Sequence, residues 1–328
     1  MPRRSRADLR RVVVVAAFVI GFGSPAAAQA FIPAAGDGTV SVSYQAVVAR
    51  GQHSVLGESL EARTDDLTEA HNLIWYVEYG LSDRIAVHAS LPYMAVRYEG
   101  PLPHSDLDDG TYHGSFQDFY FGTRFKLVES PRLALTPFVE AIVPSHHYES
   151  RSQSVVGRDL RALVVGAAVG GFADYLVPGL FFQTRISHAF VQEIVDIRPN
   201  RTGIDSAVGY FVTPRFAIQF VETLQVTHDG IDWLVPRGLA VHNGATLTQD
   251  HRLNHDRLGR ANALNLGVGV SFALTENVEV FGTVTKVAWG ENLTPPRSVT
   301  VGMNWSFQTR RGATRANPSV TGRVTPFR

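Results

Sequence analysis

Charged and polar side chains recur at every second position in several segments of the sequence. In residues 84–90 an arginine is followed by His88 and Ser90, with apolar residues between them, and residues 118–126 alternate in a similar way. Groups spaced by two residues share one side of an extended chain, where they can form ion pairs or contact a charged solute. The candidate residues for such a site are Glu78, Arg84, His88, Asp118, Tyr120, Arg124, Lys126, Glu140, Arg185 and Asp205.

His88 and Ser90 also suggest a second chemistry, nucleophilic hydrolysis, because a histidine base that reaches a serine hydroxyl can activate it. The apolar positions of this segment are Ile85, Val87 and Leu91, so the pair points away from the face where a lipid substrate would lie. The sequence has no evident third residue to orient the imidazole and no evident oxyanion donor. A lipase-like enzyme is therefore the least favoured alternative, and we predict no catalytic residue.

Acidic and histidine residues are concentrated between the alternating segments. Residues 106–109 (Asp-Leu-Asp-Asp) lack the acidic spacing and the closing glutamate of a calcium loop. The histidines at positions 228, 242, 251 and 255 lack a zinc-binding spacing, and the sequence contains no Cys. We interpret these residues as solvated loop positions and predict no metal or other cofactor.

The elements that carry the candidate residues are strands, because apolar residues recur with a period of two. In residues 40–48 the even positions are Val, Val, Tyr, Ala and Val, and most of the odd ones are small or polar. In residues 264–274 every even position is Leu, Val or Phe. A helix would need apolar residues at i, i+3 and i+4, and these segments lack that pattern.

This alternation predicts twelve strands, at about 39–50, 69–80, 84–97, 115–128, 132–146, 158–174, 178–195, 201–212, 215–228, 258–274, 277–290 and 298–307. The even-numbered strands end in turns of two or three residues. The longest connections follow odd-numbered strands, at 51–68, 98–114, 147–157 and 229–257. Tight turns at one end and long loops at the other are typical of an all-β, antiparallel up-and-down transmembrane barrel with both termini in the periplasm.

The strand lengths favour this barrel over a soluble β-sandwich. Eleven residues at about 3.3 Å each, tilted by about 40°, rise roughly 28 Å, which spans the apolar part of an outer membrane. Strands of soluble sandwiches usually have about five or six residues. Aromatic rings belong at the membrane–water interface. We predict this position for Trp75, Tyr79, Tyr93, Trp289, Trp305 and Phe307.

The turn positions also predict which lumen residues lie opposite one another on neighbouring strands. Opposite charges on facing strands lower the cost of placing charge in a narrow lumen. The predicted pairs are Glu78 with Arg84, Tyr120 with Glu140, and Arg124 with Thr136. Glu222 departs from the pattern, because it falls on the apolar register, where a carboxylate facing lipid is costly; we expect a β-bulge or an inward turn there.

The two ends of the chain differ in composition from the segment between them. Residues 1–28 contain five Arg, an apolar run at 12–21 and a small-residue site ending at Ala28, which predicts a cleaved export signal rather than a membrane anchor. Residues 29–307 are predicted to form the barrel, and the Arg-rich segment 308–328 a disordered periplasmic tail. The segment between residues 28 and 308 has 20 basic and 29 acidic residues, so no nucleic-acid partner is predicted.

Several short motifs resemble those of the outer-membrane transporter family named for the MetA pathway of phenol degradation. They are residues 79–85 (Tyr-Gly-Leu-Ser-Asp-Arg-Ile), 90–93 (Ser-Leu-Pro-Tyr), 117–124 (Gln-Asp-Phe-Tyr-Phe-Gly-Thr-Arg), 141–145 (Ala-Ile-Val-Pro-Ser) and 301–307. The chain departs from the family at Gln117, where Gly is usual, and in the tail after Phe307. The resemblance implies an outer-membrane barrel that passes small hydrophobic or aromatic compounds and has no catalytic residue.

We therefore predict passive transport of a small solute through a narrow polar lumen in the outer membrane of a Gram-negative bacterium. A barrel of eight strands leaves no pore and one of sixteen leaves an aqueous channel, so twelve strands imply a narrow passage. The alternative is a structural or adhesion barrel with a blocked lumen that acts through its long loops. The expected partners are outer-membrane lipid and lipopolysaccharide, the barrel-assembly machinery and a small-molecule permeant.

Overall fold

The computed structural model describes residues 30–50, 52–53, 59–60, 66–100, 105–130, 132–234 and 239–309. The predicted signal peptide and nearly all of the predicted tail lie outside these residues and stay predictions. Within the part of the chain that is described, no helix has the length and apolar composition of a membrane-spanning helix.

Twelve long antiparallel strands form the main sheet, which confirms the predicted fold class. They are β1 (Asp37–Arg50), β2 (Leu67–Ser82), β3 (Ile85–Glu99), β4 (Asp118–Phe125), β5 (Leu133–Pro144), β6 (Ala162–Phe172), β7 (Leu180–Val191), β8 (Arg201–Thr213), β9 (Phe216–Thr227), β10 (Asn262–Ala273), β11 (Val278–Glu291) and β12 (Pro296–Gln308). Each strand pairs with its neighbours in sequence order.

The sheet closes on itself because β1 pairs with β12 along nearly its whole length. This ladder runs from Asp37 opposite Gln308 to Ala49 opposite Pro296, and the other edge of β1 pairs with β2. Closure leaves none of the twelve described barrel strands at a free edge, which hydrocarbon would strongly disfavour.

Side chains alternate between the two faces of the closed sheet. In β1, Ser41, Ser43 and Gln45 are buried in the interior, whereas Tyr44 and Val48 are exposed on the outside. The same division holds in β10, where Val268 and Val270 are exposed and the residue between them is Gly269. An apolar exterior around a polar interior is the arrangement of a membrane barrel and the reverse of a soluble protein.

The predicted strands agree with the observed ones to within a few residues, apart from the fourth. The predicted segment 115–128 is divided into His113–Phe116, which pairs with β3, then β4, and then Val128–Glu129, which pairs with β5. The loops add the strands Gln52–His53, Ser59–Leu60, Asp232–Leu234, Leu239–His242 and Ala245–Thr246, and the helices α1 (Gln249–Leu253) and α2 (His255–Leu258). The two helices were not predicted.

Glu222 stays on the outward register, so the predicted bulge or inward turn is wrong. It lies opposite Ser206 of β8 and Leu266 of β10, and both ladders run without a register shift past it. Five residues separate it from the loop end of β9 and six from the turn end. The sequence therefore places a carboxylate at the middle of the outer surface, and continuous backbone pairing on both sides of β9 keeps it there.

The segment before β1 lies inside the barrel at the end with the short turns. Ala30 packs against Ala134 and Ala168, and its carbonyl accepts a hydrogen bond of 2.5 Å from Thr136 Oγ1. Gly80 lets the segment pass close to β2, because a Cβ there would lie 2.1 Å from the carbonyl oxygen of Ala34. This location of residues 30–36 was not predicted.

The loop between β5 and β6 folds into the opposite end of the barrel. Tyr148 and Val156 of this loop pack against the inward side chains Val47, Met94 and Val96. A second apolar cluster lies among the loops on the same side and comprises Ile197, Ile231, Trp233, Leu247 and Leu258. The long loops therefore cover part of the lumen instead of extending freely into solvent.

Candidate functional site: the lumen

A buried ion pair joins two strands across β3. Arg124 of β4 donates to Glu78 of β2 at 2.6 Å, and both side chains are almost completely buried. The predicted partner of Glu78 was Arg84, and this is wrong, because the register places Glu78 opposite His88. A bulge between Gly80 and Ser82 shortens the turn, and Arg84 lies exposed within it.

A chain of ionic contacts continues from His88 along the wall of the lumen. His88 Nε2 lies 2.9 Å from Glu140 of β5. The other oxygen of Glu140 lies 3.5 Å from Arg185 of β7, which is 3.6 Å from Asp205 of β8. Arg185 also lies over the ring of Phe138, 4.3 Å from its centroid. Opposite charges thus follow one another from β5 to β8, with the His88 imidazole as a polar contact at the β3 end, and this stabilises charge in the partly dehydrated interior.

Gly122 permits the contact between His88 and Glu140. It lies between them on the same row of the sheet, opposite His88 on one side and Glu140 on the other. A Cβ at this position would lie 2.3 Å from His88 Cε1. The predicted pairs of Tyr120 with Glu140 and Arg124 with Thr136 are therefore wrong by two residues, although the inward face was identified correctly.

The opposite wall of the lumen carries small, neutral side chains. Asn72 Nδ2 donates to Gln45 at 2.9 Å, and Gln45 Nε2 donates to Thr300 at 3.2 Å. Inward positions of β10 include Gly267 and Gly269. The lumen is therefore asymmetric: most of its ionic groups lie on β2 to β8, and the inward side chains from β9 to β1 are mostly small or neutral, with Asp37 and Glu279 as the acidic exceptions.

Two of the candidate lumen residues lie in the turns and not in the lumen. Arg84 and Lys126 fall just outside the strands, and Lys126 forms an ion pair with Glu129 in the same turn. The alternation continues through both turns in the sequence, and for this reason the prediction included them. The other eight candidates, which are Glu78, His88, Asp118, Tyr120, Arg124, Glu140, Arg185 and Asp205, all occupy inward positions.

The loop between β5 and β6 supplies polar contacts that the sequence prediction missed. Tyr148 donates to Asp118 at 2.5 Å, and burial together with that carboxylate raises the pKa of the phenol. Arg158 of the same loop has a pKa lowered to about 9 by burial and by Arg201. Arg201 opens β8 on the same face as Asp205, a signal that the alternation did contain.

Among the described residues, His88 forms no hydrogen bond with Ser90. Its Nε2 atom contacts Glu140, its Nδ1 atom has no hydrogen-bond partner, and both His88 and Ser90 face the lumen rather than the apolar exterior. No set of three or more ligand-type side chains among the described residues is arranged to hold a metal ion.

The predicted interface aromatics lie on the outward face in three places. Tyr79 and Trp305 both contact Phe307 at the end with the short turns, with ring centroids 6.5 Å and 5.6 Å away. Trp75 and Tyr93 pack against Phe116, several residues inside their strands. Trp289 is exposed near the loop end of β11. Their role at the headgroup level stays a prediction.

No family model and no curated protein matches the chain, so the resemblance to the phenol-degradation family stays a prediction. Among solved structures, the chain is similar to an outer membrane channel from Pseudomonas putida F1, with 14% identity and a TM-score of 0.64 over 85% of this chain and 98% of that one. The NanC porin aligns with 10% identity and a TM-score of 0.43, covering 80% of this chain and 98% of that one.

A KdgM porin, solved in complex with disordered oligogalacturonate, aligns with 8% identity and a TM-score of 0.42, over 82% of this chain and 99% of that one. The TM-scores of the NanC and KdgM alignments are too low to support any argument. The similarity to the Pseudomonas putida channel, at 14% identity, establishes the fold alone. The chain has the fold of an outer-membrane channel: a closed antiparallel barrel of twelve strands with an ionic lumen.

Proposed function

We propose that the protein is a passive, energy-independent channel for a small solute in the outer membrane of a Gram-negative bacterium. The observation that carries the proposal is the series of contacts inside the barrel from His88 through Glu140 and Arg185 to Asp205, on strands whose outward face is mostly apolar. A barrel that needed only stability would gain more from an apolar interior, because buried ion pairs contribute little net stability. No step of this function is enzymatic.

The solute we propose is small and has an apolar or aromatic part. Towards the loops, the lumen is lined by Val47, Met94 and Val96, and below them by the ionic groups. A molecule moving inward would meet an apolar environment first and hydrogen-bonding groups next. This order of environments along the lumen suits a small aromatic compound with a polar substituent better than it suits a sugar.

A structural barrel with a blocked lumen is the second candidate, and one observation favours it. Residues 30–36 occupy the periplasmic end of the lumen, and the loop carrying Tyr148 and Val156 occupies the other end. The transport proposal requires that at least one of these segments moves when solute passes.

Single-channel recording in planar bilayers, with solute-driven swelling of proteoliposomes, separates the two candidates. We expect wild-type protein to conduct and Arg185→Ala to change the conductance, because the change removes a charge that faces the lumen. Thr184→Ala is the matched control, since Thr184 is the preceding residue and faces outward. A closed bilayer trace together with no solute flux would support the structural barrel and contradict the channel.

A further inference from the structure

A slanted row of seven outward-facing positions, five of them charged, crosses the outer surface of the barrel. Successive positions along the backbone pairing are Glu222, Leu266, Lys286, Arg297, Val48, Glu69 and Arg97. The row begins at the middle of β9 and reaches the loop ends of β12, β1, β2 and β3. Because strands tilt in a barrel, a row perpendicular to them climbs from mid-membrane to the extracellular rim.

Lys286 and Arg297 lie where the apolar belt of the barrel ends. They face each other on β11 and β12, and both are exposed. On each strand, the outward residue two positions nearer the periplasm is a valine. Val284 on β11 is 46% exposed, and Val299 on β12 is 51% exposed. Trp289, three residues beyond Lys286, is an interfacial residue by type. The two cations thus stand at the height where hydrocarbon gives way to headgroups.

In the part of the chain that the structure describes, Lys286 and Arg297 lack carboxylate partners of the kind that Arg97 has in the same row. Further along, Arg97 is held by Glu69 at 2.7 Å and by Glu99 at 2.6 Å. Among the described residues, no carboxylate forms an ion pair with Lys286 or Arg297. Arg50, two residues from Val48 on the same face, adds a third exposed cation at the end of β1. A positive patch therefore faces the outer leaflet, although the chain as a whole has zero formal charge.

We propose that Lys286, Arg297 and Arg50 bind a phosphate group of lipopolysaccharide in the outer leaflet. Arg and Lys form short, charge-assisted hydrogen bonds with phosphate, and their aliphatic stems can lie along apolar surface while the charges reach headgroup level. The patch is continuous with the exposed valines below it, so the acyl chains of the same lipid would pack on that apolar belt. A free inorganic anion has no acyl chains that could pack on this adjoining apolar surface.

The test uses the full-length barrel folded in a zwitterionic detergent and follows binding by tryptophan fluorescence. The probes are diphosphorylated lipid A, the same lipid without phosphates, and inorganic phosphate. Removing one positive charge is expected to weaken binding of phosphorylated lipid A about fivefold, and Lys286→Gln/Arg297→Gln to weaken it roughly 25-fold. The matched control is Arg84→Gln/Arg215→Gln, which removes the same charge from exposed turns at the periplasmic end.

We expect the control variant to bind phosphorylated lipid A as tightly as the wild type does. We expect the wild type to bind dephosphorylated lipid A only weakly, with the affinity that the double variant has for the phosphorylated form. Equal binding of phosphorylated lipid A by the double variant and the control would overturn the site. Tight binding of dephosphorylated lipid would overturn the role of phosphate, and inorganic phosphate binding as tightly as lipid A would overturn the lipid assignment. If the double variant fails to fold, the single variants Lys286→Gln and Arg297→Gln give the same test, with an expected loss of binding of about fivefold for each.

Discussion

At the scale of single residues, glycine decides which polar contacts form in the lumen. Gly122 lies between His88 and Glu140, and its missing side chain leaves the space that the imidazole fills. The contact is therefore a property of three residues on three strands. Sequence alternation identifies the face that each residue occupies, but it does not reveal which neighbour is small enough for two others to meet.

We predict that Gly122→Ala destabilises the barrel by about 1–3 kcal/mol, because the new methyl group overlaps His88 and forces it away from Glu140. Urea unfolding in lipid vesicles measures the change. Gly282→Ala is the control: the added Cβ would lie 3.6 Å from its nearest neighbour, an ordinary contact. A loss of stability of equal size in both variants would show that the effect comes from strand glycine in general.

Substitution of Glu222 is predicted to increase the stability of the barrel, whereas substitution of Gly122 decreases it. Its carboxylate faces outward at mid-strand between Ser206 and Leu266. Glu222→Leu is expected to raise the free energy of unfolding in vesicles by about 1–2 kcal/mol, because an acidic side chain on the lipid face is unfavourable. Glu222→Gln should give only part of this gain. Lower stability of the leucine variant would indicate that the carboxylate has a polar partner in the membrane.

At the scale of elements, the strands were predictable and the segments inside the barrel were not. Strands such as β10 follow from an alternation that runs unbroken through the element. The turn positions were less well determined, since Glu78 lies opposite His88, four residues further along β3 than the predicted partner Arg84. Residues 30–36 and the loop with Tyr148 have no period, and their burial depends on inward side chains contributed by distant strands.

Residues 30–36, at the end of the barrel with the short turns, allow a direct test of gating. The chain has no Cys, so Ala30→Cys/Ala168→Cys introduces the only possible disulfide, between two residues of one buried cluster. If the segment must leave the lumen for solute to pass, the oxidised variant should conduct less than the same protein after reduction. Each single cysteine variant is the control and should not respond to reductant. Equal currents before and after reduction would mean that the segment does not obstruct the path.

At the scale of the whole molecule, the lumen has an excess of negative charge. Three guanidinium groups, those of Arg124, Arg185 and Arg201, occupy inward strand positions. Six carboxylates do so: Asp37, Glu78, Asp118, Glu140, Asp205 and Glu279. Unequal charge along a narrow, low-dielectric passage concentrates ions of the opposite sign, so selectivity is a property of the whole lining.

We predict a weak preference for cations, measured as the reversal potential across a bilayer under a salt gradient. Glu279→Gln should reduce this preference, because Glu279 is inward and receives a hydrogen bond only from neutral Asn304 at 3.3 Å among the described residues. Glu222→Gln removes the same charge from the outer surface and should leave the reversal potential unchanged. Anion preference in the wild type would contradict the prediction.

The ladder between the first and last strands also determines when the protein can become native. Residues 37–49 find their second partner only in residues 296–308, so the ring has an open seam until residue 308 has been synthesised. A product that stops before residue 296 leaves one side of β1 and one side of β11 unsatisfied. Closure of the barrel therefore cannot precede synthesis of the last strand, and a chain that ends earlier keeps free strand edges, which hydrocarbon strongly disfavours.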